Sequence, residues 1–117
     1  MSRASGAAAR RLVGAAPVFA ALGDPARLRI VTKLCEAGPL PIVRLTQGER
    51  ISRQAITKHL HALSKAGLVC NERSGRENLW RLETPRLEEA QQYLGQISAR
   101  WDEATGRLKM LLERDEI

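Results

Sequence analysis

The sequence predicts a mainly α chain of one domain with a single small β-hairpin and one long C-terminal helix. Three observations lead there. The chain has 117 residues, enough for one core and short for two. It is 44% hydrophobic yet holds only two Trp, one Tyr and one Phe, so Leu, Ile, Val and Ala must build the core, which suits helix packed on helix. Apolar residues recur at three- and four-residue steps through most of the chain, and only residues 68–83 read as two extended runs about a turn.

The first 16 residues, MSRASGAAARRLVGAA, are rich in Ala and Arg and contain no acid. Organelle transit peptides share that composition, but a flexible basic arm is the commoner use of such a start. PVFAAL, residues 17–22, reads as a short helix opened by Pro17 and broken by Gly23. Asp24-Pro25 opens the next helix, with Asp24 as cap and Pro25 at the first helical position. Leu28, Val31, Leu34 and Cys35 form its expected buried stripe up to the stop at Gly38-Pro39. A second short helix is expected over Pro41 to Gln47, with Ile42 and Leu45 inward, before Gly48-Glu49-Arg50 turns the chain.

Ser52 caps a helix over 53–66 that Gly67 ends. Leu68 to Arg73 and Asn78 to Glu83 flank Ser74-Gly75-Arg76-Glu77, a hairpin signal. Thr84-Pro85 repeats the cap-plus-proline start, and a helix of about 85–113 follows. No linker divides residues 17–113, so they are expected to form one domain that includes this last helix.

Charge narrows the function. The net charge is +6 and the pI about 10.1. Residues 1–66 hold 11 Lys/Arg against 3 Asp/Glu, a surplus of +8, whereas residues 67–117 hold 8 against 10, a balance of −2. A basic half of this kind suits a polyanion, nucleic acid before a membrane surface. No apolar run approaches the roughly 18 residues of a membrane span. Two cysteines, Cys35 and Cys70, are too few for a disulfide-stapled fold, and no secretory hydrophobic core precedes them. A soluble, cytoplasmic protein with no membrane partner is the expectation.

The stretch ISRQAITKHLHALSKAGLV, residues 51–69, carries the sharpest signal. At about 100° per residue, Leu60 lies about 40° to one side of Ile56 and Leu63 about 20° to the other, which defines a buried stripe. Arg53, Gln54, Thr57, Lys58, His61 and Lys65 fall on the far half of the helix, while His59 falls beside the stripe as a packed or backbone-bonded residue and not a ligand. The exposed set contains no Asp or Glu. Ordinary surface helices interleave both signs to gain pairs four residues apart; this one does not. Arg53 and Gln54 can each reach a base edge through two hydrogen bonds. Ser52, Thr57 and Lys58 suit phosphate oxygens. A short helix, a turn, a basic helix and a hairpin with Arg73 and Arg76 by its tip make a winged helix-turn-helix, whose wing arginines can lie along the adjacent backbone or minor groove.

FAALGDPARLRIVTKL, LTQGERISRQAITKHLHALSKAGLV and RSGRENLWRLE, in that order, resemble the ArsR-type family of winged-helix transcriptional repressors over roughly residues 17 to 113. The resemblance implies a homodimer that binds double-stranded operator DNA and blocks transcription. By motif position it carries DNA reading onto Ser52, Arg53, Gln54, Thr57 and Lys58, with His61 on the same face, and the wing role onto Arg73 and Arg76. Many members of that family sense metals, but the residues here do not suit it. IVRLTQGE holds no cysteine where a Cys-x-Cys pair would be needed, and residues 86–113 hold no histidine. No metal and no cofactor are expected. The inducer is left open, a redox role for Cys35 and Cys70 included; Cys35, on an apolar stripe, is expected to act as a small buried hydrophobe.

Leu87, Ala90, Leu94, Ile97, Trp101, Ala104, Leu108 and Leu111 alternate steps of three and four, a heptad seam. A domain this small cannot cover such a helix alone. The expected dimer interface is therefore Phe19 with Leu87, Leu94, Ile97, Trp101 and Leu108, and Gly95 and Gly106 suggest close helix approach. No triad, phosphate loop or nucleophile motif supports an enzyme. The alternative is a winged helix that contacts proteins instead of DNA; the acid-free face from Arg53 to Lys65 speaks against it.

Overall fold

The computed structural model describes residues 14–115. Helix α1 (14–22) leads into α2 (Pro25–Ala37), α3 (Ile42–Thr46) and α4 (Arg53–Lys65), then strands β1 (Val69–Ser74) and β2 (Glu77–Leu82), and finally α5 (Thr84–Asp115). The mainly helical fold with one hairpin and a long last helix is as expected. The helix expected from Pro17 is already under way at residue 14, with Ala15 buried. The expected basic arm lies, over residues 1–13, outside the described residues.

Local chemistry sets the boundaries. Asp24 accepts from the amides of Ala26 and Arg27 at 2.8 and 3.2 Å, and these bonds hold its carboxyl below the usual carboxylate range. Ser52 Oγ accepts from Ala55 N at 3.1 Å at the start of α4. At the other end, Leu68 N donates to Leu63 O at 2.9 Å and Gly67 N to Ser64 O at 3.0 Å, a paired closure that needs Gly67 at φ +79°.

The core is aliphatic. Ile30, Leu45, Ile56, Leu60, Leu63 and Leu68 are fully enclosed, with Val18, Val31, Leu34, Val69, Trp80 and Ala90 around them. The hairpin is antiparallel, pairing Val69 with Leu82 through Ser74 with Glu77 about a two-residue Gly75-Arg76 loop. Leu40 adds a bridge, exchanging two backbone hydrogen bonds with Trp80 at 2.8 and 3.0 Å, which ties the wing to the α2–α3 connection.

Two expectations fail on α2. Its buried residues are Ala26, Ile30, Val31 and Leu34, while Leu28 is 50% exposed and Cys35 is exposed. The stripe is centred between Ile30 and Leu34, and residues 28 and 35 lie more than about 100° from that line. Cys35 is therefore not a core hydrophobe.

Helix α5 divides in two. Ala90 and Tyr93 are buried and Leu87 packs against the core, but residues 94–114 are all exposed. A 32-residue helix is about 48 Å long, and the radius of gyration, 19.5 Å, far exceeds the roughly 13 Å of a compact 100-residue domain. The seam is thus absorbed by the chain's own core at its start and free only from Leu94 on. Nothing lies within 4 Å of a Cβ built on Gly95 or Gly106, so neither marks a close approach within the protomer.

Candidate nucleic-acid interface

The buried stripe Ile56–Leu60–Leu63 fixes the rotation of α4. Arg53, Gln54, Lys58, His61 and Lys65 are exposed and Thr57 half-exposed, and Arg53, Gln54, Thr57, Lys58 and His61 line one open depression along the helix. Ser52 is exposed just before this surface, and its Oγ accepts in the cap, which leaves the hydroxyl hydrogen to donate. Thr57 Oγ1 donates to Arg53 O at 2.9 Å, which leaves its lone pairs as acceptors. His61 leans toward the wing: its ring lies 6.3 Å from that of Trp80, tilted by 54°. His59 is half-buried beside the stripe and accepts from Arg27 Nε at 3.2 Å, so its partner is a side chain of α2 and not the backbone group expected.

The wing supplies a second wall. Side chains alternate across a strand, so Val69, Asn71 and Arg73 share a face with their partners Leu82, Trp80 and Asn78. Val69 and Trp80 are buried, which makes this the face turned to the body. Asn71, Asn78 and Trp80 from this face, with Glu77 from the loop end of β2, border together with Arg53, Pro41, Ile42 and Val43 a depression between α3, the start of α4 and the hairpin. Arg53 belongs to both depressions and stands at their junction. Arg76 is exposed at the hairpin tip and Arg73 on the strand before it. On the wing's outer side, Arg81 is held by Glu72 at 2.9 Å and Glu83 at 3.2 Å and is not free for a ligand. Asn71 and Asn78 escape a reading that looks for charge, and only the register brings them to Arg53.

Part of the basic surplus is structural. Arg29 and Lys33, on α2, both bind Glu49 in the α3–α4 turn, at 3.0 and 3.2 Å. Arg27 is engaged with His59. Among the described residues from α3 to the end of α4, the cations Arg44, Arg50, Arg53, Lys58 and Lys65 are exposed. Glu49 stands in a turn by its sequence neighbours, and the signal of its further role is that it is the sole acid between Glu36 and Glu72. Cys70, on the outer wing face, has its thiol pushed up by a hydrogen bond to Glu83 and by burial, so its thiolate is disfavoured. Among the described residues no group of three or more His, Cys, Asp or Glu is arranged to hold a metal ion, and no helix is long and apolar enough to cross a membrane.

Comparison with known proteins agrees with this geometry. Residues 22–69 match the family model of a helix-turn-helix domain. An uncharacterized HTH-type transcriptional regulator of Methanocaldococcus jannaschii is 33% identical over 75 residues, which span 64% of this chain and 84% of that protein. Another, YuzN of Bacillus subtilis, is 42% identical over 65 residues, 50% of this chain and 71% of its own length. An ArsR-like transcriptional regulator from Rhodococcus sp. RHA1 superposes with a TM-score of 0.70 at 37% identity, covering 86% of this chain and 93% of that structure. The chain belongs to the ArsR-type family of winged helix-turn-helix regulators. It is a DNA-binding transcriptional regulator, and in this ArsR-type protein α3 and α4 are the helix-turn-helix and β1–β2 the wing.

Proposed function

We propose that this ArsR-type regulator is a homodimeric repressor that lays α4 in the major groove and its wing along the flanking DNA. The observation that carries the reading is the acid-free, exposed face of α4, with Arg53 where that face meets the inner side of the wing. Arg53 and Gln54 are the base readers. Ser52, Lys58 and His61 donate to phosphate oxygens, Thr57 joins them once its hydroxyl turns away from Arg53 O, and Arg73 and Arg76 extend the contact beyond the groove. The free apolar row of α5, Leu94, Ile97, Trp101 and Leu108, takes a second copy of the same row, with Phe19 of α1 and Leu87 at the margin of that contact. Two copies related by a twofold axis present two α4 helices, so the operator has two inverted half-sites about one helical turn apart, roughly 34–36 Å.

The test is selection from a library of randomised duplexes at fixed salt. The full chain should enrich a sequence with inverted half-sites at that spacing. Enrichment of nothing beyond the input pool contradicts the reading and favours a winged helix that contacts protein.

A further inference from the structure

Glu49 is the most enclosed carboxylate among the described ion pairs, its side chain only 3% exposed, and DNA contact makes no use of it. It lies in the turn that joins the two helices of the helix-turn-helix. Arg29 grips it from α2 through Nε, 3.1 Å from each carboxylate oxygen, and through Nη2 at 3.0 Å. Lys33, one turn further along α2, donates to Glu49 Oε1 at 3.2 Å, to Leu45 O at 3.1 Å and to Gln47 O at 3.0 Å. One ammonium therefore closes the end of α3 and the turn together, while the carboxylate neutralises it.

We infer that Glu49, held by Arg29 and Lys33, is a positioning residue that sets where α4 begins, and through this where Arg53 and Gln54 meet the bases. The inference rests on the DNA-reading role given to α4. Between Thr46 and Arg53 the turn has six residues, including Gly48 at φ +78°. Glycine there leaves the turn free to adopt more than one path. Core contacts of Ile56, Leu60 and Leu63 fix how α4 is rotated, but apolar packing is non-directional and holds the helix start less firmly than it holds the middle. The two-pronged Arg29 contact supplies the missing direction.

Phosphate contacts from long side chains tolerate a shift of the helix start, whereas a two-hydrogen-bond base contact does not. Loss of the clamp should therefore reduce discrimination and spare general affinity, a split that simple loss of folding would not produce. The experiment uses a duplex selected by the wild-type chain and a scrambled duplex of equal length, both followed by fluorescence anisotropy at one salt concentration. Glu49→Gln keeps the shape and removes the charge. It should lose about tenfold in the ratio of selected to scrambled affinity, with scrambled affinity within about twofold of wild type and an unchanged circular dichroism spectrum. Full discrimination in Glu49→Gln, or an equal loss on both duplexes, overturns the inference. If that variant does not fold, Arg29→Lys decides: it keeps a cation on Glu49 but loses the fork. Reduced discrimination then supports the clamp, and wild-type discrimination overturns it. A wild-type chain that selects no sequence overturns the DNA reading and the clamp with it; selection by wild type with fully discriminating variants overturns the clamp alone.

Discussion

Glu49 also gives the protein an acid-sensitive joint. The Arg29 hydrogen bonds and the Lys33 charge hold its carboxyl below the usual range, so the folded state favours the ionised form more than the unfolded chain does. A depressed carboxyl contributes stability that is fully present above its unfolded value, near 4.3, and is lost as pH falls through the lower folded value. Urea unfolding followed between about pH 5 and pH 3 should show a shallower loss of stability in Glu49→Gln than in wild type. Equal slopes would mean that other carboxyls govern the acid limb. Gly67 is a second single-residue constraint. At φ +79° a side chain is strained whatever the space, and a Cβ would also stand 3.1 Å from Arg86 Cγ. Because that neighbour is a flexible side chain, backbone strain dominates, and Gly67→Ala should cost about 1–2 kcal/mol in urea denaturation. No change in the midpoint would show that the closure of α4 tolerates another conformation.

Helix α5 is the element that a single protomer leaves unfinished. Leu94, Ile97, Trp101, Leu108 and Leu111 are all exposed, Trp101 by 73%, and five large apolar side chains along one helix demand a cover. A glutamate at position 101 would place a charge in the middle of that row. Trp101→Glu should therefore shift sedimentation from dimer to monomer or aggregate, and a fully dimeric variant would move the interface elsewhere. The heptad spacing was legible in the sequence because it depends only on periodicity. What spacing could not show is that the first third of the seam belongs to the chain's own core, since Ala90 and Leu87 satisfy the same period as Leu94. The same limit explains α2. Leu28 and Cys35 lie seven residues apart and looked like part of the stripe, but Ile30 outweighs them and turns both outward. Periodicity identifies a face and leaves its exact rotation to the competing apolar residues.

Taken whole, the molecule is a small aliphatic body that holds α4 and the wing on one surface and projects about two thirds of α5 away from it. The helix caps, the Gly67 stop, the hairpin and the exposed face of α4 follow from local rules, and these could be read residue by residue. The Glu49 clamp and the meeting of Asn71, Asn78 and Arg53 depend on contacts between distant segments, which local patterns do not encode. Metal response is also a property of the whole chain. Given two cysteines and two histidines in all, with Cys70 disfavoured as thiolate, one equivalent of zinc, cadmium or arsenite should leave DNA affinity within about twofold. A tenfold loss, about 1.4 kcal/mol of coupling, would reveal a sensing site, with Cys35 and Cys70 the first places to look. The most direct test of the account compares the salt dependence of binding to a selected duplex for the wild-type, Arg53→Ala and Lys58→Ala chains. Arg53→Ala should lose about 1–3 kcal/mol on the selected duplex and relax base preference at one position per half-site, while Lys58→Ala should weaken all sequences alike and lower the salt slope by about one unit. An Arg53→Ala chain that binds and discriminates as the wild type does would contradict the placement of α4 in the groove.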